Sequence, residues 1–126
     1  MRTLAERIEI FKNSDLYPVV SSEFCNDRDV CEVVSGIAAA GARIVQIREK
    51  NISDCAMFEL VQKCKRITDT YQMLLIVDDR LDIAMAAEAD GVHLGRMISR
   101  WPKQGFLLRR WFSEFQRTMP LKYAKP

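Results

Sequence analysis

Residues 41–53 read GARIVQIREKNIS. Gly41 is placed as a turn residue, Arg43 to Ile47 is a β-branched run, and Ser53 is placed to cap a following helix. The run therefore reads as a buried strand. Its exit is polar. Gln46, Arg48 and Lys50 alternate with Ile47 and Glu49, so the first three share one side. An amide, a guanidinium and an ammonium on one side of a strand end suit an anionic, oxygen-rich ligand such as a diphosphate. Arg supplies a fork of donors and Lys a point charge. A solvated charge cluster after a strand has the same spacing, and spacing alone does not choose between the two.

Outward from this stretch, helical and strand periods alternate. Leu4, Ile8 and Phe11 have helical spacing, and Leu16 to Val20 is a short apolar run that reads as a strand. A helix starts at Asp27 or Arg28, carries Val30, Val33, Val34, Ile37 and Ala38 on one face, and ends at Gly41 as its C-cap. Ser53 begins a longer helix to Tyr71, with Met57, Leu60, Val61, Cys64 and Ile67 on one face. Leu74 to Val77 is a buried strand, Leu81 to Ala87 a short helix, and Gly91 to Leu94 a fourth strand. Continuous apolar strands alternating with helices predict parallel strands covered by helices. The fold class is α/β, and the short strands fit a partial (β/α)8 TIM barrel of about four strands. No G-x-G-x-x-G follows the first strand, which argues against a dinucleotide-binding sheet.

In a parallel barrel the site lies at the C-terminal ends of the strands. The third strand ends in Asp78-Asp79-Arg80. Adjacent carboxylates at a strand terminus are a common way to hold Mg²⁺, a hard cation with oxygen ligands. The same two residues are also candidates for capping the helix that starts near Arg80. Asp82, further into that helix, is expected to pair with a nearby base. The fourth strand ends in His93-Leu94-Gly95. A lone histidine is more often structural than a general base, and no nucleophile is evident beside it.

Composition bounds the rest. A chain of 126 residues, 48% hydrophobic and 29% charged, is long enough for one globular core and is not disordered. No apolar run approaches a membrane span, and the charged start MRTLAERIEIFKN is no secretory signal. Cys25, Cys31, Cys55 and Cys64 form no Cys-x-x-Cys pair, so reduced thiols in a cytoplasmic protein are expected rather than a zinc site. The net charge of +2 hides an asymmetry: residues 1–95 carry 11 Lys+Arg and 16 Asp+Glu, whereas residues 96–126 carry 8 Lys+Arg and Glu114. Both tryptophans, Trp101 and Trp111, fall in the basic tail.

The segments GARIVQIREKNIS, LLIVDDRLDIA and ADGVHLG, with their spacing, resemble thiamine phosphate synthases over about residues 12–95. That family also includes the TenI-type proteins, among them thiazole tautomerases. The full Gln-x-Arg-x-Lys favours the synthase branch. The resemblance implies an enzyme that joins hydroxymethylpyrimidine diphosphate to thiazole phosphate, giving thiamine phosphate and pyrophosphate. By position, Gln46, Arg48 and Lys50 would bind the diphosphate, and Asp79 would be a Mg²⁺ ligand. Asp78 stands where the family usually has Asn contacting the pyrimidine substrate. The implied partners are these small molecules, with no nucleic acid and no membrane. The implied chemistry is dissociative, so the protein contributes charge stabilisation and positioning rather than acid–base catalysis.

After His-Leu-Gly the family continues Gln-x-Asp-Leu-Pro, whose Asp is a second metal ligand. This chain reads Arg96-Met97-Ile98-Ser99-Arg100-Trp101-Pro102 instead. In a shifted frame Met97–Ile98 forces an Asp codon at that position, and neighbouring codons can give Gln, Leu and Pro. Further on, Trp111 to Pro120 can be read as Val-Phe-Gly-Val-Ser-Thr-His-Asn-Ala, which contains the stretch expected at the family's fifth strand. The expected division is thus an N-terminal half-barrel, 1–95, and an out-of-frame basic tail, 96–126. Taken at face value, the tail is instead a basic aromatic segment for nucleic acid or an acidic partner. A half-barrel has two open strand edges, which favour self-association. The alternative to a synthase is an inactive truncated fragment or a TenI-like binding or regulatory protein.

Overall fold

The computed structural model describes residues 2–94, so Gly95 and the basic tail, 96–126, lie outside the described residues. Four helices and four strands alternate: α1 (Leu4–Lys12), β1 (Val19–Val20), α2 (Val30–Ala39), β2 (Ile44–Ile47), α3 (Asp54–Thr70), β3 (Leu74–Asp78), α4 (Leu81–Ala86) and β4 (Gly91–His93). The strands form one parallel sheet in the order β1-β2-β3-β4. This is the α/β arrangement of parallel strands and covering helices that the sequence predicts.

Local chemistry sets the element ends. Thr3 and Glu6 form a reciprocal capping box: the Glu6 N–H donates to Thr3 Oγ1 at 3.3 Å, and the Thr3 N–H to Glu6 Oε2 at 2.9 Å. Ser53 caps α3, as expected, accepting from the Ala56 N–H at 3.2 Å. The predicted strand over Leu16–Val20 shrinks to Val19–Val20, because Pro18 has no N–H to donate to a ladder and Leu16 is exposed. A short 3₁₀ turn, Ser22–Phe24, follows it. Asn26 (φ 51°) and Asp27 (φ 63°) take left-handed backbone, which delays α2 to Val30.

The exits of α2, α3 and α4 share one geometry. In each, a residue with positive φ follows the C-cap: Gly41 at 96°, Gln72 at 56° and Glu88 at 56°. The next N–H reaches back five residues, from Ala42 to Ile37, Met73 to Thr68 and Ala89 to Ala84, at 3.3, 2.8 and 2.9 Å. These are Schellman motifs, which satisfy carbonyls left open at a helix end. Gly41 therefore stands one residue beyond the C-cap, Ala40. It has the conformational freedom its position needs, whereas Gln72 and Glu88 adopt a conformation that costs an L-residue energy.

Strand alternation divides the buried side chains between two faces. Val20, Val45, Ile47, Leu75 and Val77 pack against Val34 and Ala38 of α2, Met57, Val61 and Cys64 of α3, and Ile83 and Ala84 of α4. Ile44, Leu74 and Ile76 form a second cluster with Ile10 and Phe11 of α1. So α2, α3 and α4 cover one face, and α1 covers the base of the other. Each fully buried aliphatic side chain contributes about 1.5–3 kcal/mol.

At the base of the sheet, Asp90 ties these layers together. The Leu75 N–H donates to Asp90 Oδ2 and the Asp90 N–H to the Leu75 carbonyl, both at 2.9 Å. The buried carboxylate also meets Arg2 at 3.1 Å, Lys65 at 3.4 Å and Arg7 at 3.8 Å. One acceptor thereby joins the N-terminal segment, α3 and the β3–β4 pair.

Candidate functional site

The site lies at the opposite end of the strands, on the α1-covered face. The ladder aligns Val19 with Gln46, Gln46 with Ile76, and Ile76 with Gly91. One step further along, Asp78 aligns with His93. Arg48 occupies the same step on the β2 side, since Ile47 pairs with Val77, and its N–H donates to the Val20 carbonyl at 2.9 Å.

Gln46 is buried at 4% exposure. Its amide nitrogen donates to the Tyr17 hydroxyl at 3.0 Å, a partner from just before β1. Arg48 leans over the strand ends, and its Nε lies 3.7 Å from Asp78 Oδ2. Lys50 is exposed. Glu49 turns the other way, as alternation predicts. It accepts from the Ser22 hydroxyl at 2.7 Å and from the Ser22 backbone N–H.

Burial and the neighbouring Asp79 push the Asp78 carboxyl above the ordinary carboxylate range, while Arg48, His93 and Lys50 pull it down. Burial raises the Tyr17 phenol, the Gln46 bond opposes this, and Asp78 adds to the rise. Tyr17 and Gln46 are in contact, as are Arg48 and Asp78, and Asp79, His93 and Lys50 lie close enough to Asp78 to act on its charge.

Asp79 leaves the strand in left-handed backbone, φ 56°, a conformation Asp tolerates better than most residues. Its N–H donates to the His93 carbonyl at 2.7 Å, which extends the β3–β4 pairing by one bond. Arg80, rather than Asp78 or Asp79, holds the N-cap position of α4, and its own side chain makes no cap bond. Arg80 instead pairs with Asp82 at 3.1 Å and Asp54 at 2.9 Å, the base expected for Asp82.

Two adjacent carboxylates beside cationic side chains suit a hard divalent ion whose remaining ligands are water and ligand oxygens. Among the described residues no cluster of three or more His, Cys, Asp or Glu is arranged to hold a metal.

Sequence reasoning missed Tyr17 as a member of this group. The signal was present: Tyr17 and Val19 have the strand period, and Val19 aligns with Gln46.

Comparison with known proteins gives one answer. A family model described as thiamine monophosphate synthase matches residues 16–102. A thiamine-phosphate synthase of Fusobacterium nucleatum is 42% identical over 85 residues, covering 68% of this chain and 41% of the relative. A thiamine-phosphate synthase of Clostridium novyi is 40% identical over 84 residues, covering 67% and 41%. A solved thiamine phosphate pyrophosphorylase from Pyrococcus furiosus superposes with a TM-score of 0.61 at 32% identity, covering 68% of this chain and 42% of that one. The chain spans about two-fifths of the length of these proteins.

Proposed function

The chain belongs to the thiamine monophosphate synthase family, and from that premise we propose that its strand-end cluster is the pyrimidine diphosphate side of a thiamine phosphate synthase site. The observation that carries this reading is the convergence of Gln46, Arg48, Lys50, Asp78 and Asp79 at the C-terminal ends of β2 and β3. The family uses a metal ion in catalysis. We assign Mg²⁺ to this role and Asp79 as its ligand in this half of the site. Mg²⁺, when bound, supplies positive charge to the departing pyrophosphate.

In the proposed reaction the carbon–oxygen bond between the pyrimidine methylene and the diphosphate breaks, and the thiazole nitrogen forms the new bond to that carbon. Arg48 and Lys50 bind the diphosphate and stabilise the charge that develops as it leaves. Gln46, held by Tyr17, orients an amide beside them. Asp78 sits next to the pyrimidine position. The cell compartment consistent with this reading is the cytoplasm, and no helix among the described residues is long and apolar enough to cross a membrane.

Residues 96–126 belong to the same proposal as an out-of-frame tail, supported by the composition break and the motifs in the shifted frame. Resequencing tests it: the idea fails if no single-base slip near the Gly95 codon restores a long open frame. The exposed side chains of Leu16, Val19 and Phe24 near the β1 edge support self-association of this half-barrel.

The test of function is binding and turnover by the purified chain with Mg²⁺. Hydroxymethylpyrimidine diphosphate should bind, and Arg48→Gln should weaken it at least about tenfold, the scale of a charge-assisted contact. Little or no thiamine phosphate should form. No measurable binding, or binding indifferent to Arg48→Gln, would overturn the assignment. Turnover comparable to an intact synthase would refute the expectation that this chain is inactive.

A further inference from the structure

Arg48 already has an anion beside it. Asp78 belongs to β3, its Cα aligned with His93 in the ladder, so its carboxylate is fixed at the strand end. Its side chain is 13% exposed, against 48% for Arg48. The separation of 3.7 Å brings the charges together but exceeds hydrogen-bond range. The guanidinium can therefore exchange a loose partner for a phosphate that takes two short N–H···O bonds.

We propose that Asp78 is a counterion built into the site, which occupies Arg48 when no ligand is bound and lowers the affinity for a diphosphate by the cost of displacing it. This rests on the reading of Arg48 as a diphosphate ligand. It makes Asp78 a residue that sets anion affinity through Arg48, distinct from one that only touches the pyrimidine. A neutral side chain of the same shape at position 78 would leave Arg48 free for ligand.

The test is calorimetric binding of inorganic pyrophosphate to the whole chain in chelator, using Asp78→Asn, Arg48→Gln and the double variant. Circular dichroism checks that each folds. Asp78→Asn should bind pyrophosphate about fivefold tighter, the order that a half-exposed ion pair supplies. Arg48→Gln should weaken binding, and in that background the gain from Asp78→Asn should fall below about twofold. Unchanged or weaker binding by Asp78→Asn overturns the inference. So does an equal gain in both backgrounds, because that result means general repulsion by Asp78 without a role for Arg48. If Arg48→Gln leaves pyrophosphate affinity unaltered, the reading of Arg48 itself has failed, and the inference falls with it.

Discussion

The Gln46 amide nitrogen donates to the Tyr17 hydroxyl at 3.0 Å, so a residue outside the ladder fixes a buried polar group inside it. Tyr17→Phe removes the acceptor and keeps the ring. The chain should lose about 0.5–1.5 kcal/mol of stability in urea unfolding, the net value of one such bond. No change in midpoint would mean that the bond is replaced by water without cost.

Asp90 concentrates the charge pairing at the base of the sheet. Asp90→Ala leaves Arg2, Arg7 and Lys65 close together and orphans the Leu75 N–H, so about 3–5 kcal/mol should be lost. Asp90→Asn keeps an acceptor for that N–H and should lose less. Equal losses in the two variants, measured by denaturant unfolding, would contradict a special place for the Leu75 bond.

Asp78 gives a pH-dependent prediction of definite sign. Burial, followed by Asp79, raises its folded carboxyl above the unfolded value of 3.8. The folded chain thus holds this proton more tightly, and stability falls as pH rises from 3.8 through the folded value. Asp78→Asn escapes that loss. The variant should be more stable than the parent at neutral pH, and the difference should shrink towards pH 3.8 and below. Thermal midpoints measured across that range would show the convergence; a constant offset would not fit.

Gln72 and Glu88 occupy left-handed positions that Gly41 fills in the equivalent turn. Gln72→Gly or Glu88→Gly relieves about 1–2 kcal/mol of backbone strain and gives back about 0.4–1 kcal/mol through the freer unfolded chain. Each should stabilise by roughly 0.5–1 kcal/mol in denaturant unfolding. Gly41→Ala should destabilise for the reverse reason, although nothing beyond its chain neighbours lies within 4 Å of the added Cβ.

Ser53 contributes through one bond. Ser53→Ala should cost about 0.5–2 kcal/mol, and Ser53→Gly only a few tenths. Identical losses would show that the 3.2 Å bond to Ala56 is not what secures the start of α3.

Much of the fold is legible in the sequence because its signals are local. The apolar faces of α2 and α3, the Ser53 cap and the runs at Ile44–Ile47 and Leu74–Asp78 depend on periodicity and nearby hydrogen bonds. The side shared by Gln46 and Arg48, and the opposite turn of Glu49, follow from alternation alone. The Asp90 network was not legible, because its partners lie 15 to 88 residues away in sequence. The Arg48–Asp78 pair and the Tyr17–Gln46 bond were hidden for the same reason: each depends on the register between strands. The apolar run Leu16–Val20 overstates the extent of β1 because Pro18 has no N–H to donate to the ladder.

The three Schellman turns occupy the end of the sheet remote from Arg48 and Asp78. There each helix hands over to the next strand within a few residues, from Ala40 to Arg43, Tyr71 to Met73 and Ala87 to Asp90. At the end bearing Arg48 and Asp78 the connections differ widely in length, with residues 21–29 after β1, 48–53 after β2 and 79–80 after β3. Connection length is thus nearly uniform at one pole of the sheet and variable at the other. Variation in ligand chemistry can accumulate at one pole through loop length and side-chain choice, while the other keeps the strands in step.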